Sequence, residues 1–479
     1  MIIKREKEYR QLSEAYEAKE NRLIILSGRS GVGKTTLVRQ FVQEKEGYYY
    51  QAAECSTERQ KQLLNLCWDR LYATGKTASE QSAISRIQQT VSRNTYLGIF
   101  TEICHRTEGK TLLVIEDFDR IAKNDPGFYC DVDDLLHQES NLMLVLTVST
   151  WSWRETEAKL EPRSLVGKIT DRIILPEFRF LEMVKYFKGL SMVEVIQIYA
   201  LLGGVPGYLK YWNTDQTIQE NVIDLFVREE GKLRGEAERY LRSELRELSL
   251  YNTVLGSMQE GVVRLNDIHE RTGFGRAKIS VYMKNLKQLG VVDKCKTFAL
   301  KCQDHEKKGM YEITDALVHF WARFILPYKT LLTVLTPEQF YEQIIAPELE
   351  AYTAVYFERM CVRYLGLMKE YKNSDILNGR SGAWYGEEGR IPMVMEDKEG
   401  HILLMYTKWS REPFTRKDLE RNLRYLVRCD VDPDQYYIFA KSGFDAELRQ
   451  KAQRVKNMHL VDFSNMKYTK QRGYREDIC

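Results

Sequence analysis

Short apolar runs alternate with helical repeats along the first third of the chain. Leu23–Ser27, Tyr48–Ala52, Leu112–Ile115, Leu142–Val148 and Ile173–Leu175 read as strands. The segments between them repeat their apolar residues at helical spacing. Such alternation predicts a parallel sheet covered by helices on both faces, an α/β fold. From about residue 179 to 330 the pattern becomes mostly helical. After about 340 it changes to helix, several strands, helix and strand, with Ile402–Tyr406 and Tyr436–Phe439 among the strands. These shifts divide the chain into an α/β core at 1–178, a helical lid at 179–244, a helix-rich module at 245–335 and a second α/β domain at 336–479. There is no low-complexity tract, internal repeat or long Gly/Pro/Ser linker, so the domains are expected to pack rather than hang on tethers.

The first predicted strand runs into Gly28-Arg29-Ser30-Gly31-Val32-Gly33-Lys34-Thr35-Thr36, after which Leu37, Val38, Phe41 and Val42 recur at helical spacing. Strand, glycine-rich turn and helix in that order fit the phosphate loop GxxxxGK[ST], or Walker A motif, at every required position. Successive backbone N–H groups and the helix N-terminus can cradle a polyphosphate, and Lys34 adds a mobile positive charge. The Thr35 hydroxyl is placed to ligate Mg²⁺ bridging the outer phosphates. The chain is therefore expected to bind ATP or ADP with Mg²⁺.

A phosphate loop needs acidic partners. The run Leu112–Ile115 delivers Glu116, Asp117 and Asp119 to the C-terminal end of a strand, where ligands of open α/β sheets bind. The usual order in P-loop enzymes is Asp then Glu; here Glu116 precedes Asp117. Glu116 is assigned to the metal and Asp117 to the attacking water. The swap changes reach by one methylene, and misplacement of about 1 Å can cost about a hundredfold in rate, so hydrolysis is expected to be slow. Beyond the strand at 142–148 lie Thr147, Ser149, Thr150 and Ser152. Ser149 is the first candidate for sensing the γ-phosphate, with a helix cap as the alternative. In Gly203-Gly204-Val205-Pro206-Gly207-Tyr208 a rigid proline beside glycines can bring apolar surface to an adenine, although alone it reads as an interhelical loop.

Composition adds little beyond exclusions. The 479 residues are 43% apolar and 29% charged, with a net charge of +3, too mild to imply nucleic acid by itself. Nine cysteines lack a CxxC pair and do not cluster with the seven histidines, which favours free thiols in a reducing cytosol over disulfides or zinc. No signal peptide opens the sequence, and the longest apolar stretch, Leu142–Val148, is too short to span a bilayer. A cytoplasmic protein without a membrane partner is expected.

With these pieces in order, the chain resembles a prokaryotic, archaeal-type P-loop ATPase family of the AAA-related STAND type. Its members join the ATPase to a winged helix and a C-terminal restriction-nuclease-like domain of unknown function. The resemblance begins at Arg5-Glu6-Lys7-Glu8, which is similar to an Arg-Glu-x-Glu opening motif, and runs through the phosphate loop and Val114-Ile115-Glu116-Asp117-Phe118. Leu165-Val166-Gly167-Lys168 stands where a Leu-Tyr-Gly-Arg-like segment is common, with Lys168 replacing the arginine. Gly203-Gly204-Val205-Pro206 resembles a Gly-x-Pro module that touches adenine through its proline. Tyr311-Glu312-Ile313-Thr314-Asp315 and His319–Phe324 resemble the Tyr-x-Ile-x-Asp and Phe-Trp-x-x-Phe blocks. The resemblance implies that Arg5 and Pro206 join Gly28, Ser30, Gly31, Val32, Gly33, Lys34, Thr35 and Thr36 in holding nucleotide. Lys34, Glu116, Asp117 and Ser149 are the candidate catalytic residues, and Thr35 and Glu116 the metal side.

The winged-helix reading places helices at Leu255–Met258, Leu265–Arg271 and Lys278–Leu289, then strands and a wing up to Ile313. Arg276, Lys278, Lys284 and Lys287 on the third helix suit phosphate or major-groove contact, while Ile279, Met283 and Leu286 form its core face. The last domain resembles a PD-(D/E)xK nuclease, with Glu358 on its first helix. At the positions of the expected Asp and Glu-x-Lys stand Pro392 and Tyr406-Thr407-Lys408, so Glu358 and Lys408 survive and two metal-binding acids do not. Glu396 and Asp397 read as turn residues. Arg411, Arg416, Lys417, Arg421, Arg424 and Arg428 give the following helix a basic face for nucleic acid, an acidic protein or solvent. The leading expectation is a slowly hydrolysing, nucleotide-driven switch. The alternatives are an ATP-bound DNA-binding regulator and, disfavoured by the missing acids, an ATP-gated metal-dependent nuclease. Candidate partners are DNA and another protein.

Overall fold

In the computed structural model the described residues are 5–73, 93–158, 165–299, 309–372, 379–386, 389–428 and 431–464. They form two compact units, Met1–Glu177 and Phe178–Cys479.

In the first unit, strands β1 (Arg22–Ser27), β2 (Tyr48–Gln51), β3 (Thr111–Glu116), β4 (Leu142–Val148) and β5 (Asp171–Ile174) form one parallel sheet in the order β2-β3-β4-β1-β5. The central strands are continuous apolar runs because both faces are covered. Leu23, Ile25, Leu113, Ile115, Leu144 and Leu146 enter one core. Their neighbours Ile24, Leu26, Leu112, Val114, Met143 and Val145 enter the other. That is the period of two expected when successive side chains point to opposite faces. Helices α1 (Glu6–Glu17) and α2 (Lys34–Lys45) cover the second face with Leu12, Ala15, Leu37, Val38 and Phe41. The Phe41 ring meets Tyr9 and Tyr16 edge-on, at centroid distances of 5.6 and 6.0 Å. Helices α3 (Thr57–Ala73), α4 (Tyr96–Arg106), α5 (Phe128–Gln138) and α6 (Thr150–Glu157) cover the first face with Trp68, Phe100, Phe128 and Trp153. Phosphate loop and acidic strand end thus lie on one sheet edge, the C-terminal ends of β1 and β3.

The second unit begins with helices at Phe180–Tyr186 and Met192–Leu202. Helices α7 (Leu248–Met258), α8 (Leu265–Thr272) and α9 (Arg276–Gln288) follow. Strands β6 (Val263–Arg264), β7 (Val292–Lys294) and β8 (Met310–Ile313) form an antiparallel sheet in the order β6-β8-β7. The first of these helices starts at Leu248, seven positions before the expected Leu255, because Leu248, Tyr251, Val254, Leu255 and Met258 share one buried stripe. Strand β6 was not expected; two residues carry no periodicity. Three π-helical turns, Ile223–Val227, Trp321–Ile325 and Tyr341–Ile345, also escape a reading based on a period of 3.6.

Helix α10 (Ala346–Lys372) leads into β9 (Arg380–Tyr385), β10 (Arg390–Glu396), β11 (Ile402–Lys408), β12 (Gln435–Ala440) and β13 (Met458–Asp462), ordered β13-β12-β11-β10-β9. The pairs β9–β10 and β10–β11 are antiparallel; β11–β12 and β12–β13 are parallel. The parallel pairs require crossovers, supplied by α11 (Arg416–Arg428) and α12 (Ala446–Arg454). Just after β7, Lys296–Phe298 runs along the edge strand β9. Ala383 N–H donates to Lys296 O, and Phe298 N–H to Ala383 O, both at 2.9 Å. Gly382 permits the approach, since a Cβ there would lie 2.6 Å from the Thr297 carbonyl. Phe298 is buried with Trp384, Ile391 and Tyr406 in the core of the five-stranded sheet. No helix among the described residues is long and apolar enough to cross a membrane.

Candidate nucleotide site

Between β1 and α2, Gly31 (φ 82°) and Gly33 (φ 103°) adopt left-handed backbone that a side chain would strain. Gly28 is needed for space, since a Cβ would lie 2.9 Å from both Leu175 O and Val32 Cγ2. Val32 is buried in the core of the sheet, so only its backbone serves the loop, while Ser30, Gly31 and Thr36 are exposed. The first N–H groups of α2 have no acceptors within the helix and are therefore suited to an anion. Arg5 braces the loop from behind by donating to Val32 O at 3.0 Å and Pro176 O at 2.6 Å. Its guanidinium is seated on main chain rather than presented as a ligand. Lys34 Nζ arches over the loop to Gly28 O at 2.7 Å and Arg29 O at 3.2 Å.

Glu116 closes β3 and is 2% exposed. One carboxylate oxygen accepts from Thr35 Oγ1 and the other from Tyr49 Oη. Strand β4 separates β3 from β1, and α2 packs against β3, which brings Thr35 to the acid. Glutamate extends one methylene farther toward Thr35 than aspartate would. A hydroxyl and a carboxylate side by side are hard oxygen donors of the kind Mg²⁺ takes from protein when phosphates and water complete its shell. The donor set fits the ion: Thr35 and Glu116 are the residues that would hold it, and bound Mg²⁺ would neutralise phosphate charge.

Asp117 follows in left-handed backbone at φ 54°, a conformation aspartate tolerates better than most residues. Two bonds from the end of β4 fix this turn: Asp117 N–H donates to Thr147 Oγ1 and Phe118 N–H to Thr147 O, both at 3.1 Å. Burial pushes the Asp117 carboxyl above its ordinary value, against the pull of Arg120, whose guanidinium lies 3.3 Å away. Asp119 pairs with Lys123 at 3.0 Å. Phosphate cradle, metal-side oxygens and a carboxylate of raised basicity thus stand together.

Residues 2–212 match a family described as an ATPase domain predominantly from Archaea. This segment is similar to the ATPase domains of that family. Residues 321–421 of the chain match a family of archaeal and bacterial proteins of unknown function. An uncharacterized protein of Methanocaldococcus jannaschii is 22% identical over 452 residues, covering 91% of this chain and 94% of its own. Among solved structures, the ORC2 protein of Aeropyrum pernix in ADPNP–ADP complexes is 15% identical, with a TM-score of 0.39, covering 69% of this chain and 95% of its own. A STAND protein with a tetratricopeptide repeat sensor from Pyrococcus horikoshii is 14% identical, with a TM-score of 0.28, covering 77% of this chain and 50% of its own.

The remaining candidates of the ATPase domain have structural tasks. Ser149 caps α6, accepting from Ser152 N–H at 3.0 Å. Lys168 holds Asp133 of α5 at 2.5 Å. Sequence reading missed Tyr49, seen only as part of a strand. Tyr50, its neighbour, points into the core, so alternation alone sends Tyr49 to the opposite face. Burial, then the bond to Glu116, pushes its hydroxyl up to about 12.

In the second unit, Pro206 opens the short helix Pro206–Leu209. The preceding Gly204 packs so tightly that a Cβ would lie 2.1 Å from Phe178 O, and its carbonyl accepts from Phe178 N–H at 2.7 Å. Pro392 lies in the irregular part of β10, between Ile391 and Val394, and Tyr406 is 2% exposed in the core. Lys408 is held by Asp418 at 2.7 Å and Pro413 O at 2.9 Å, and Glu358 by both guanidinium nitrogens of Arg390 at 2.6 and 2.9 Å. Glu396 is the last residue of β10, paired with Arg380 at 2.8 Å, rather than a turn residue; Asp397 does form the turn, accepting from Glu399 and His401 N–H.

Proposed function

We propose that this chain is an ATP- and Mg²⁺-dependent switch that hydrolyses its nucleotide slowly. The observation that carries the reading is the meeting of Thr35 and Glu116 beside a loop spanned by Lys34. The pairing of Asp117 with Arg120 supports slow turnover, because the guanidinium must move aside before the carboxylate is free to orient a water. In the switch reading, nucleotide state is read out in the second unit. Hydrogen exchange of the full chain with ATP–Mg²⁺ and with ADP tests this. Protection of amides in 248–313 or 346–464 is expected to differ between the two states; identical exchange there would leave an ATPase without the switch.

A second reading, DNA binding, is favoured by α9. Its exposed face carries Arg276, Lys278, Ser280, Val281 and Lys284, cations around an aliphatic residue able to meet a thymine methyl. We read α7–α9 with their small sheet as a winged helix in which Lys296–Phe298, just after β7, runs beside β9, with α9 as the DNA-facing element. The C-terminal domain is read as a nuclease-like fold without its metal acids. Plasmid, linear duplex and single strands incubated with Mg²⁺ or Mn²⁺, with and without ATP, are expected to remain intact. Duplex retention is expected to be salt-sensitive and weakened in Lys278→Glu/Lys284→Glu. Cleavage that disappears in Lys408→Ala would move the chain to an ATP-gated nuclease.

A further inference from the structure

Glu116 is gripped by a ring of side chains whose two ends come from one helix. Thr35 and Arg39 are four positions apart on α2 and therefore share a face. Thr35 donates to one oxygen of Glu116, and Tyr49 of β2 donates to the other. Arg39 Nε donates to Tyr49 Oη at 3.3 Å, and its guanidinium lies 5.1 Å from the centre of the Tyr49 ring. The ring joins the helix that carries the phosphate loop to two strands of the sheet.

We infer that Tyr49, backed by Arg39, is a positioning residue that fixes the Glu116 carboxylate for the divalent ion accompanying the nucleotide; the inference rests on the nucleotide reading above. Glutamate reaches farther than aspartate but has one more torsion to immobilise. A carboxylate has about four acceptor positions. The Tyr49 hydroxyl takes one on the far oxygen and thereby keeps the near oxygen facing Thr35. An acid anchored only at Thr35 could rotate away. The longer acid and the second anchor are thus parts of one arrangement, since without Tyr49 the gain in reach would come with loss of aim.

Tyr49→Phe keeps the ring and the strand and removes only the hydroxyl. Two affinities are measured by titration with a fluorescent ATP analogue: that of the protein for the nucleotide in EDTA, and that of the nucleotide-loaded protein for Mg²⁺. In Tyr49→Phe the Mg²⁺ concentration at half-saturation is expected to rise about tenfold, the lower end for loss of a residue that orients a metal ligand. Nucleotide affinity in EDTA is expected to be unchanged. Arg39→Ala, at an exposed position, is expected to shift the Mg²⁺ requirement in the same direction by less. In a Glu116→Gln background Tyr49→Phe is expected to add nothing, because the two act through one contact. Wild type with metal-dependent nucleotide binding but an unchanged Mg²⁺ requirement in Tyr49→Phe overturns the role of Tyr49 alone. Equal loss with and without metal would show Tyr49 to be merely structural. Absence of metal-dependent binding in wild type overturns both this role and the nucleotide reading.

Discussion

Lys34→Ala is expected to bind ATP about tenfold more weakly or worse, the scale of one lost charge-assisted contact. The substitution should act on affinity without dismantling the loop. The loop shape comes from left-handed Gly31 and Gly33, from the space left by Gly28 and from Arg5 bonding to Val32 O, none of which involves the lysine side chain. What disappears is a cation seated on the loop carbonyls of Gly28 and Arg29, able to turn toward phosphate. Alanine also propagates a helix well, so α2 should start as before. Calorimetry on the folded variant measures the effect; unchanged ATP affinity would remove the phosphate-loop assignment.

The second large effect is expected at Asp117. Asp117→Asn should lower turnover about a hundredfold, the lower end for loss of a general base, while ATP affinity persists. Asparagine occupies left-handed backbone as readily as aspartate and leaves the bond to Thr147 in place, so the change removes charge rather than architecture. Asp119→Asn should stay close to wild type, because Asp119 is spent on Lys123. The pH profile carries a sign. A base must be deprotonated, and burial raises the Asp117 pKa, so wild-type turnover should begin to fall, as pH is lowered, before an ordinary aspartate would protonate. That acid limb should be missing in Asp117→Asn. Equal turnover in wild type and Asp117→Asn, with a large loss in Asp119→Asn, would shift the motif by two residues.

The parts of this fold that could be read from sequence are those whose cause is local. Leu142–Val148 is found with the expected ends because a central strand buried on both faces must be apolar throughout. The edge strand expected at Ile173–Leu175 is instead paired over Asp171–Ile174, with Asp171 and Arg172 inside it, since an edge is half open to water. The phosphate loop was legible because glycine at set spacing answers to backbone geometry alone. Glu116 was legible as an acid at a strand end, but not its hold on Tyr49, sixty-seven positions away in the sequence. At the end of β4 the candidate was Ser149, whereas Thr147 makes the contact with the acidic turn; choosing between hydroxyls two positions apart requires the register of β3 against β4. Phe298 gives no sequence sign that it enters the core of the five-stranded sheet, because an aromatic residue reports that it will be buried and not where.

Calorimetric titration of the purified, folded chain with ATP in Mg²⁺, repeated in EDTA, bears most directly on whether this is a nucleotide-binding protein. Saturable binding at a single site, weakened by chelating the metal, is the expected result. A flat titration in Mg²⁺, from protein shown by circular dichroism to be folded and by mass spectrometry to carry no co-purified nucleotide, would contradict it.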